Sequence, residues 1–185
     1  LNSEAQGRAG NITIDTGSLF VTNGAVLNAS NLGSGSAGKV KITAIDTVSF
    51  DGFGVISNGR ILQSGALSTV SQGEEGIKNG GIEIVTGSLS LTNGGILNTG
   101  TLGNGDGGDV TIAARDSVFL NNGKIFSNPL DLNFSGSGNG GDIKITTSSL
   151  VLNNGSSLAA STLGNGRGGD IQVKATDFVS VKGGS

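Results

Sequence analysis

Carboxylates are the side chains of this sequence best suited to chemistry, and three of them fall at matched places. Asp46, Asp116 and Asp177 each stand eight residues after Gly38, Gly108 or Gly169, the glycines that open Gly-x-Val-x-Ile or Gly-x-Ile-x-Val motifs. Two carboxyl groups working on a glycosidic bond with a water between them stand about 6.5–9.5 Å apart, so the separation of these three tests for a reaction centre. Gly-rich acidic loops at 103–109 and 164–170 raise calcium coordination as a second chemistry. A repeated cation cage is not written here, because no nine-residue period is present and Asp106 gives way to Arg167 and Ser36 at the equivalent places, which leaves calcium at an isolated acidic loop as the lesser alternative. A phosphate cradle fails: no Lys-Ser or Lys-Thr pair closes these glycines and no helical pattern follows them.

Composition removes most other chemistry. The 185 residues include no Cys, His, Met, Trp or Tyr. Disulfides, thiolate and imidazole ligands, cysteine nucleophiles and Ser-His pairs are therefore excluded, and stacking platforms reduce to seven Phe. Eleven basic against fourteen acidic residues leave no field to hold a phosphate backbone, so nucleic acid is not an expected partner. Neither a cofactor nor a metal is expected. No apolar run approaches the ~20 residues that span a bilayer. Despite 35 glycines, 35% of the chain is hydrophobic and mean hydropathy is +0.07, too apolar for a solvated coil.

What must position any site is a repeat. A glycine, a polar residue and an aliphatic-x-aliphatic triplet recur six times, with first aliphatics Ile12, Val40, Ile82, Val110, Ile143 and Ile171. The opening glycines (Gly10, Gly38, Gly80, Gly108, Gly141, Gly169) are 28, 42, 28, 33 and 28 residues apart, so a constant short unit alternates with a longer one. Apolar residues alternate with period 2, the strand period. A second strand begins inward at Leu19, Leu89 and Leu150 in short units and at Val48, Val118 and Val179 in long ones. A third inward position is expected eight residues further on, at Leu27, Ile56, Leu97, Phe126 and Leu158. Equivalent strands bury one face in every unit only if the units stack with parallel ladders about 4.8 Å apart. The expectation is an all-β chain, a parallel β-helix (β-solenoid) of about six rungs with three short strands per rung, roughly 29 Å long. Ile12, Val40, Ile82, Val110, Ile143 and Ile171 form one inward column.

Turn chemistry agrees with that register. Asn23, Gly52, Asn93, Asn122, Asn154 and Gly183 each follow the second strand's first inward residue by four. Asn and Gly tolerate left-handed φ, so these six are expected to form a structural turn ladder in which stacked Asn amides can also bond between rungs. In the same register Asp46, Asp116 and Asp177 take the place held by Ser18, Ser88 and Ser149 in alternate units. They lie about two rungs, or 9–10 Å, apart. A catalytic site is unique, whereas a turn-forming Asp recurs, so these carboxylates are read as turn residues. The outward row Thr13, Lys41, Glu83, Thr111, Lys144, Gln172 is too irregular for an ice-binding lattice, and it sets Lys41 beside Glu83 as an exposed ion pair. A second outward row, Phe20, Ser49, Ser90, Phe119, Val151, Ser180, brings Phe119 beside Val151. Loops at 57–79, with Arg60, Glu74, Glu75 and Lys78, and at 127–140, with Asp131 and Phe134, hold the extra length of the long units and are where recognition would evolve most cheaply.

The stretches Gly10-Asn11-Ile12-Thr13-Ile14-Asp15-Thr16-Gly17-Ser18-Leu19, Ser88-Leu89-Ser90-Leu91-Thr92-Asn93-Gly94 and Ser161-Thr162-Leu163-Gly164-Asn165-Gly166-Arg167-Gly168-Gly169-Asp170 resemble the repeats of filamentous-haemagglutinin-like exoproteins, the passengers of bacterial two-partner secretion. The resemblance covers essentially the whole chain. It implies a right-handed β-helix exported through an outer-membrane transporter and serving as an adhesin, secreted or at the cell surface. The partners it implies are a host or neighbouring-cell surface, glycan or matrix. Such proteins open with a secretion domain carrying an Asn-Pro-Asn-Gly-type motif, and here Asn128-Pro129 is followed by Leu130-Asp131, which points to shaft. Residues 1–185 are accordingly expected to be one β-helix segment, a fragment of a longer solenoid, beginning at Leu1 before a full unit and stopping within one at Gly183-Gly184-Ser185. Open edges would favour end-to-end self-association. The expected function is a structural or adhesive shaft, not an enzyme; the alternative is a polysaccharide-binding or polysaccharide-cleaving β-helix protein.

Overall fold

Each aliphatic-x-aliphatic triplet begins a long strand in the computed structural model, which describes residues 7–55, 59–71, 74–101, 103–127, 138–162 and 165–183. The long strands are β1 (Ile12–Thr22), β3 (Val40–Asp51), β7 (Ile82–Thr92), β9 (Val110–Asn121), β11 (Ile143–Asn153) and β13 (Ile171–Lys182). They form one six-stranded sheet in chain order, every neighbouring pair parallel. Short strands β2 (Val26–Asn28), β6 (Gly65–Leu67), β8 (Ile96–Asn98), β10 (Lys124–Phe126) and β12 (Ser157–Ala159) form a second parallel sheet, again in chain order. The chain is a parallel β-solenoid of five turns followed by a sixth long strand. No helix occurs among the described residues, and so none long and apolar enough to cross a membrane.

The expected first and second strands run on as one strand, bent at a bulge. In short rungs the bend is one residue, as at Gly17 between Thr16 and Ser18; in long rungs it is two, as at Ile45-Asp46 between Ala44 and Thr47. The inward residue before the bend alternates accordingly: Thr16, Thr86 and Thr147 in short rungs, Ala44, Ala114 and Ala175 in long ones. Each Thr hydroxyl donates to the carbonyl two residues on, Thr16 to Ser18 (3.1 Å), Thr86 to Ser88 (3.2 Å) and Thr147 to Ser149 (3.2 Å), closing the tighter bend. This corrects the expected equivalence of Asp with Ser. Ser18, Ser88 and Ser149 pair with Thr47, Ser117 and Phe178, while the three Asp are the extra residues of the two-residue bends.

Inside, side chains line up rung upon rung. The ladder pairs Ile12, Val40, Ile82, Val110, Ile143 and Ile171 in sequence. The four central members are fully buried, Ile12 is half-buried, and Ile171, on the outer edge of the sheet, is 45% exposed. Ile42 and Ile112, one step along, are buried too. Burying an aliphatic side chain contributes roughly 1.5–3 kcal/mol before entropy is subtracted, and each rung draws that mainly from its two neighbours.

The third inward column is Leu27, Ala66, Leu97, Ile125 and Leu158. Phe126, expected inward, is half-buried beneath the Lys124 ammonium at 5.9 Å, and Ile125 takes its place. The cause is a trade in chain length. Short rungs turn on two left-handed residues (Asn23-Gly24, Asn93-Gly94, Asn154-Gly155) and the long second and fourth rungs on a single one (Gly52, Asn122); the residue added at the bend is given back at the turn. Ile56, the other expected member, lies outside the described residues. Ala66 replaces it because an antiparallel hairpin, β4 (Phe53–Val55) with β5 (Ile61–Gln63), is inserted between turn and third strand. Much of the second rung's extra length therefore sits before its third strand. Of the expected 57–79 loop, Ile61 belongs to the exposed hairpin and Leu67 ends the third strand.

Candidate functional site

Asp46 and Asp116 project from the bend on the outer corner, both exposed. There Arg115 forks its own neighbour, Nε to Asp116 Oδ1 at 3.1 Å and Nη2 to Asp116 Oδ2 at 2.9 Å. Asp116, and secondarily Asp46, hold the Arg115 guanidinium above its ordinary pKa. Gly87, in the rung between, makes this possible: a Cβ there would stand 2.9 Å from Arg115 Nη2 and 2.4 Å from the Asp46 carbonyl oxygen. Beside these charges lies a shallow groove of about 420 Å³ walled by Ile45, Val85, Ala113 and Thr146. Asp177 occupies the matching bend of β13. The three carboxylates are thus periodic, and both Asp116 oxygens are engaged by the Arg115 guanidinium.

The six turn residues share one backbone state. Their φ values are 56° (Asn23), 79° (Gly52), 50° (Asn93), 56° (Asn122), 51° (Asn154) and 61° (Gly183). Side chains of the ladder do bond between rungs, but one residue out of step with the turn positions. Asn154 Nδ2 donates to Asn121 Oδ1 (2.7 Å) and Asn93 Nδ2 to Asp51 Oδ1 (2.8 Å), each reaching the residue before its counterpart on the preceding rung. Asn154→Ala is expected to cost about 1–2 kcal/mol, since Ala pays the left-handed penalty in full, while Asn154→Gly should stay within ~0.5 kcal/mol because Gly carries none. Urea midpoints of the two variants measure this.

Sequence reasoning missed a column of hydroxyls inside the third corner: Ser68, Thr99 and Ser127, all fully buried. Ser68 Oγ donates to Gly38 O (2.7 Å) and accepts from Gly81 N (3.1 Å); Ser127 Oγ donates to Gly108 O (2.9 Å) and accepts from Gly141 N (2.7 Å). Thr99 Oγ1 donates to Gly108 O at 2.6 Å. These bonds tie the third strands of the second, third and fourth rungs to Gly38, Gly81, Gly108 and Gly141, glycines just before the first inward column. Their signal in the sequence was a hydroxyl residue two positions after each inward third-strand residue, Ala66, Leu97 and Ile125.

Polar side chains just before the first inward column form another ladder. Asn11 Oδ1 accepts from Lys39 N (2.8 Å), Asp109 Oδ1 from Asp142 N (3.0 Å) and Asp142 Oδ1 from Asp170 N (3.0 Å). Cations balance the carboxylates, Lys78 on Asp109 at 2.9 Å and Lys144 on Asp142 at 3.5 Å. Lys41 meets Glu83 at 3.8 Å, as the outward row required, but Lys39 is its closer partner. The Lys39 ammonium, aided by Lys41, holds the Glu83 carboxyl below its usual range; the Asp170 backbone N–H, aided by Lys144, does so for Asp142. Both carboxyls bind protons less well folded than unfolded, so their stabilisation is present above the ordinary carboxylate pKa and lost as pH falls through the lowered folded value. Both are partly exposed, so each contributes only ~0.2–1 kcal/mol. Asp142→Asn, which keeps the acceptor oxygen, is expected to flatten the acid limb of melting temperature against pH while changing the neutral value little. Among the described residues no three acidic groups are placed to hold a metal ion. Asp131 and Phe134 lie outside the described residues.

The fold defines the class, a parallel β-solenoid protein. No family model, curated protein or solved structure matches the chain.

Proposed function

We propose that this chain is a non-catalytic shaft segment of a secreted or cell-surface bacterial exoprotein of the filamentous-haemagglutinin-like, two-partner-secretion type, acting in adhesion. The observation that carries the reading is the unbroken alternation of short and long rungs, in which the residues best suited to chemistry recur at the same bend of β3, β9 and β13. A periodic corner is scaffolding: it supplies rigidity and length, with surface loops free to make contacts. Export through an outer-membrane transporter and contact with a cell surface, glycan or matrix belong to this proposal. So does end-to-end pairing of copies, which draws on the exposed aliphatics of β13, Ile171, Val179 and Val181.

A polysaccharide-binding or polysaccharide-cleaving protein is the competing reading, and the groove beside Asp46 and Asp116 favours it. Incubating the purified chain with a polysaccharide panel separates the two. The shaft reading expects adhesion to cells or matrix and no release of reducing ends. Turnover that disappears in Asp116→Asn would overturn it.

A further inference from the structure

A second groove, distinct from the corner groove, runs along the solenoid beside the Asn11–Asp109–Asp142 ladder. Two adjoining hollows of about 450 and 310 Å³ share Lys39, Lys78, Asn79 and Gly80. Together they reach from Arg8 and Asn11 on the first rung to Asp109 and Thr111 on the fourth. Three rung spacings make a trough about 14 Å long, the length of a short chain and not of a single ion. The loop after β6 builds its middle. A bridge of Lys78 with Asp106 and the bond from Asn79 N to Asp106 O (3.2 Å) fold that loop against the solenoid.

The trough carries three cations, Arg8, Lys39 and Lys78, and two carboxylates, Glu83 and Asp109. Lys39 and Lys78 are about half exposed. Each ammonium has three donors and gives one to its carboxylate, Lys39 to Glu83 and Lys78 to Asp109, leaving donors for an outside acceptor. Asn79, only 6% exposed, is held through Nδ2 by the carbonyls of Thr99 and Gly100, which fixes the loop against the third strand; its Oδ1 is buried beneath the trough surface. The wall thus offers cationic donors together with the carboxylates of Glu83 and Asp109, each with lone pairs beyond those the protein uses. A densely charged polymer meets Glu83 and Asp109 as repulsion and brings few donors; a neutral sugar leaves the ammonium groups unused.

We propose that this trough binds an acidic polysaccharide of the uronate type, one carboxylate per sugar with free hydroxyls, the carboxylates lying on Lys39, Lys78 and Arg8 and the hydroxyls donating to Glu83 and Asp109. The assignment rests on the adhesive reading, to which it gives a contact surface. Uronate chains supply both halves of the complement: sparse negative charge for a trough with one excess cation, and donors for its acceptors. The trough lining lacks the apolar subsites that an acidic peptide would need for its side chains.

Immobilised short oligogalacturonates are the probe, with their methyl esters, sulfated glycans, polyglutamate and single-stranded nucleic acid as comparisons. Wild type is expected to bind the oligogalacturonates in preference to all four, and more weakly as salt rises. Lys39→Ala with Lys78→Ala is expected to weaken binding roughly tenfold per ammonium removed with melting temperature little changed, and the Gln pair at the same positions to behave alike. Glu83→Gln with Asp109→Asn is expected to admit sulfated chains. No binding of oligogalacturonates, binding that survives loss of both lysines, or equal binding of any comparison probe would overturn the proposal. Whole-cell adhesion is scored in parallel: adhesion that persists without oligogalacturonate binding sinks the trough alone, and absence of both sinks the adhesive reading with it.

Discussion

Gly141→Ala is expected to destabilise the solenoid by about 3 kcal/mol, the upper end of what forcing one methyl group into packed structure costs. A Cβ on Gly141 would stand 2.1 Å from the carbonyl oxygen of Gly108 and 2.6 Å from Ser127 Oγ. The first of these is backbone in a rung held on both sides and has no rotamer to yield; Ser127 could swing aside only by breaking its buried bond with Gly141 N (2.7 Å). Its counterpart Gly10 holds the same place in the repeat but faces open space within 4 Å, so Gly10→Ala should lie within ~0.5 kcal/mol of wild type. Urea melts of the two variants give the comparison. Equal stability would mean that rungs do not approach through their opening glycines.

The second large effect is at Phe50, the bulkiest of the fully buried side chains. It pairs with Val21 on one side and Leu91 on the other. Phe50→Ala removes most of a ring from a layer that cannot collapse without breaking two parallel ladders, and is expected to cost about 3–5 kcal/mol. Phe20→Ala, a ring 68% exposed on the outward row, is expected to change stability by less than ~0.5 kcal/mol. Because rungs are stabilised by their neighbours, the loss should be local at first: amide exchange protection should fall in β1, β3 and β7 before β11. Uniform loss along the rod would contradict a nearest-neighbour account.

Much of this architecture is legible in the sequence because a parallel stack copies periodicity into space. Ile12, Val40, Ile82, Val110, Ile143 and Ile171 are equivalent along the chain and become adjacent in the ladder. The turn residues are legible for a different reason, since only Asn and Gly adopt φ near +50° to +80° at small cost. Spacing carried unchanged from short rungs to long ones points to Phe126, one residue beyond the inward Ile125. A residue gained at Arg115-Asp116 and one lost at the Asn122 turn cancel in the unit length, so the period hides them. The hydroxyls of Ser68, Thr99 and Ser127 were passed over because Ser and Thr are abundant in every loop of this chain.

The sequence alone therefore determined the class of fold, the first two inward columns and the turn ladder, all properties of residues that recur. Tertiary structure decided what is singular. It placed the β4–β5 hairpin between turn and third strand, set Arg115 over Gly87, and folded the loop carrying Lys78 and Asn79 beside Arg8 and Lys39. Those groups come from different rungs and from the one irregular connection among them, so no period relates them; only the packing of the loop against the stack brings them within reach of a common ligand.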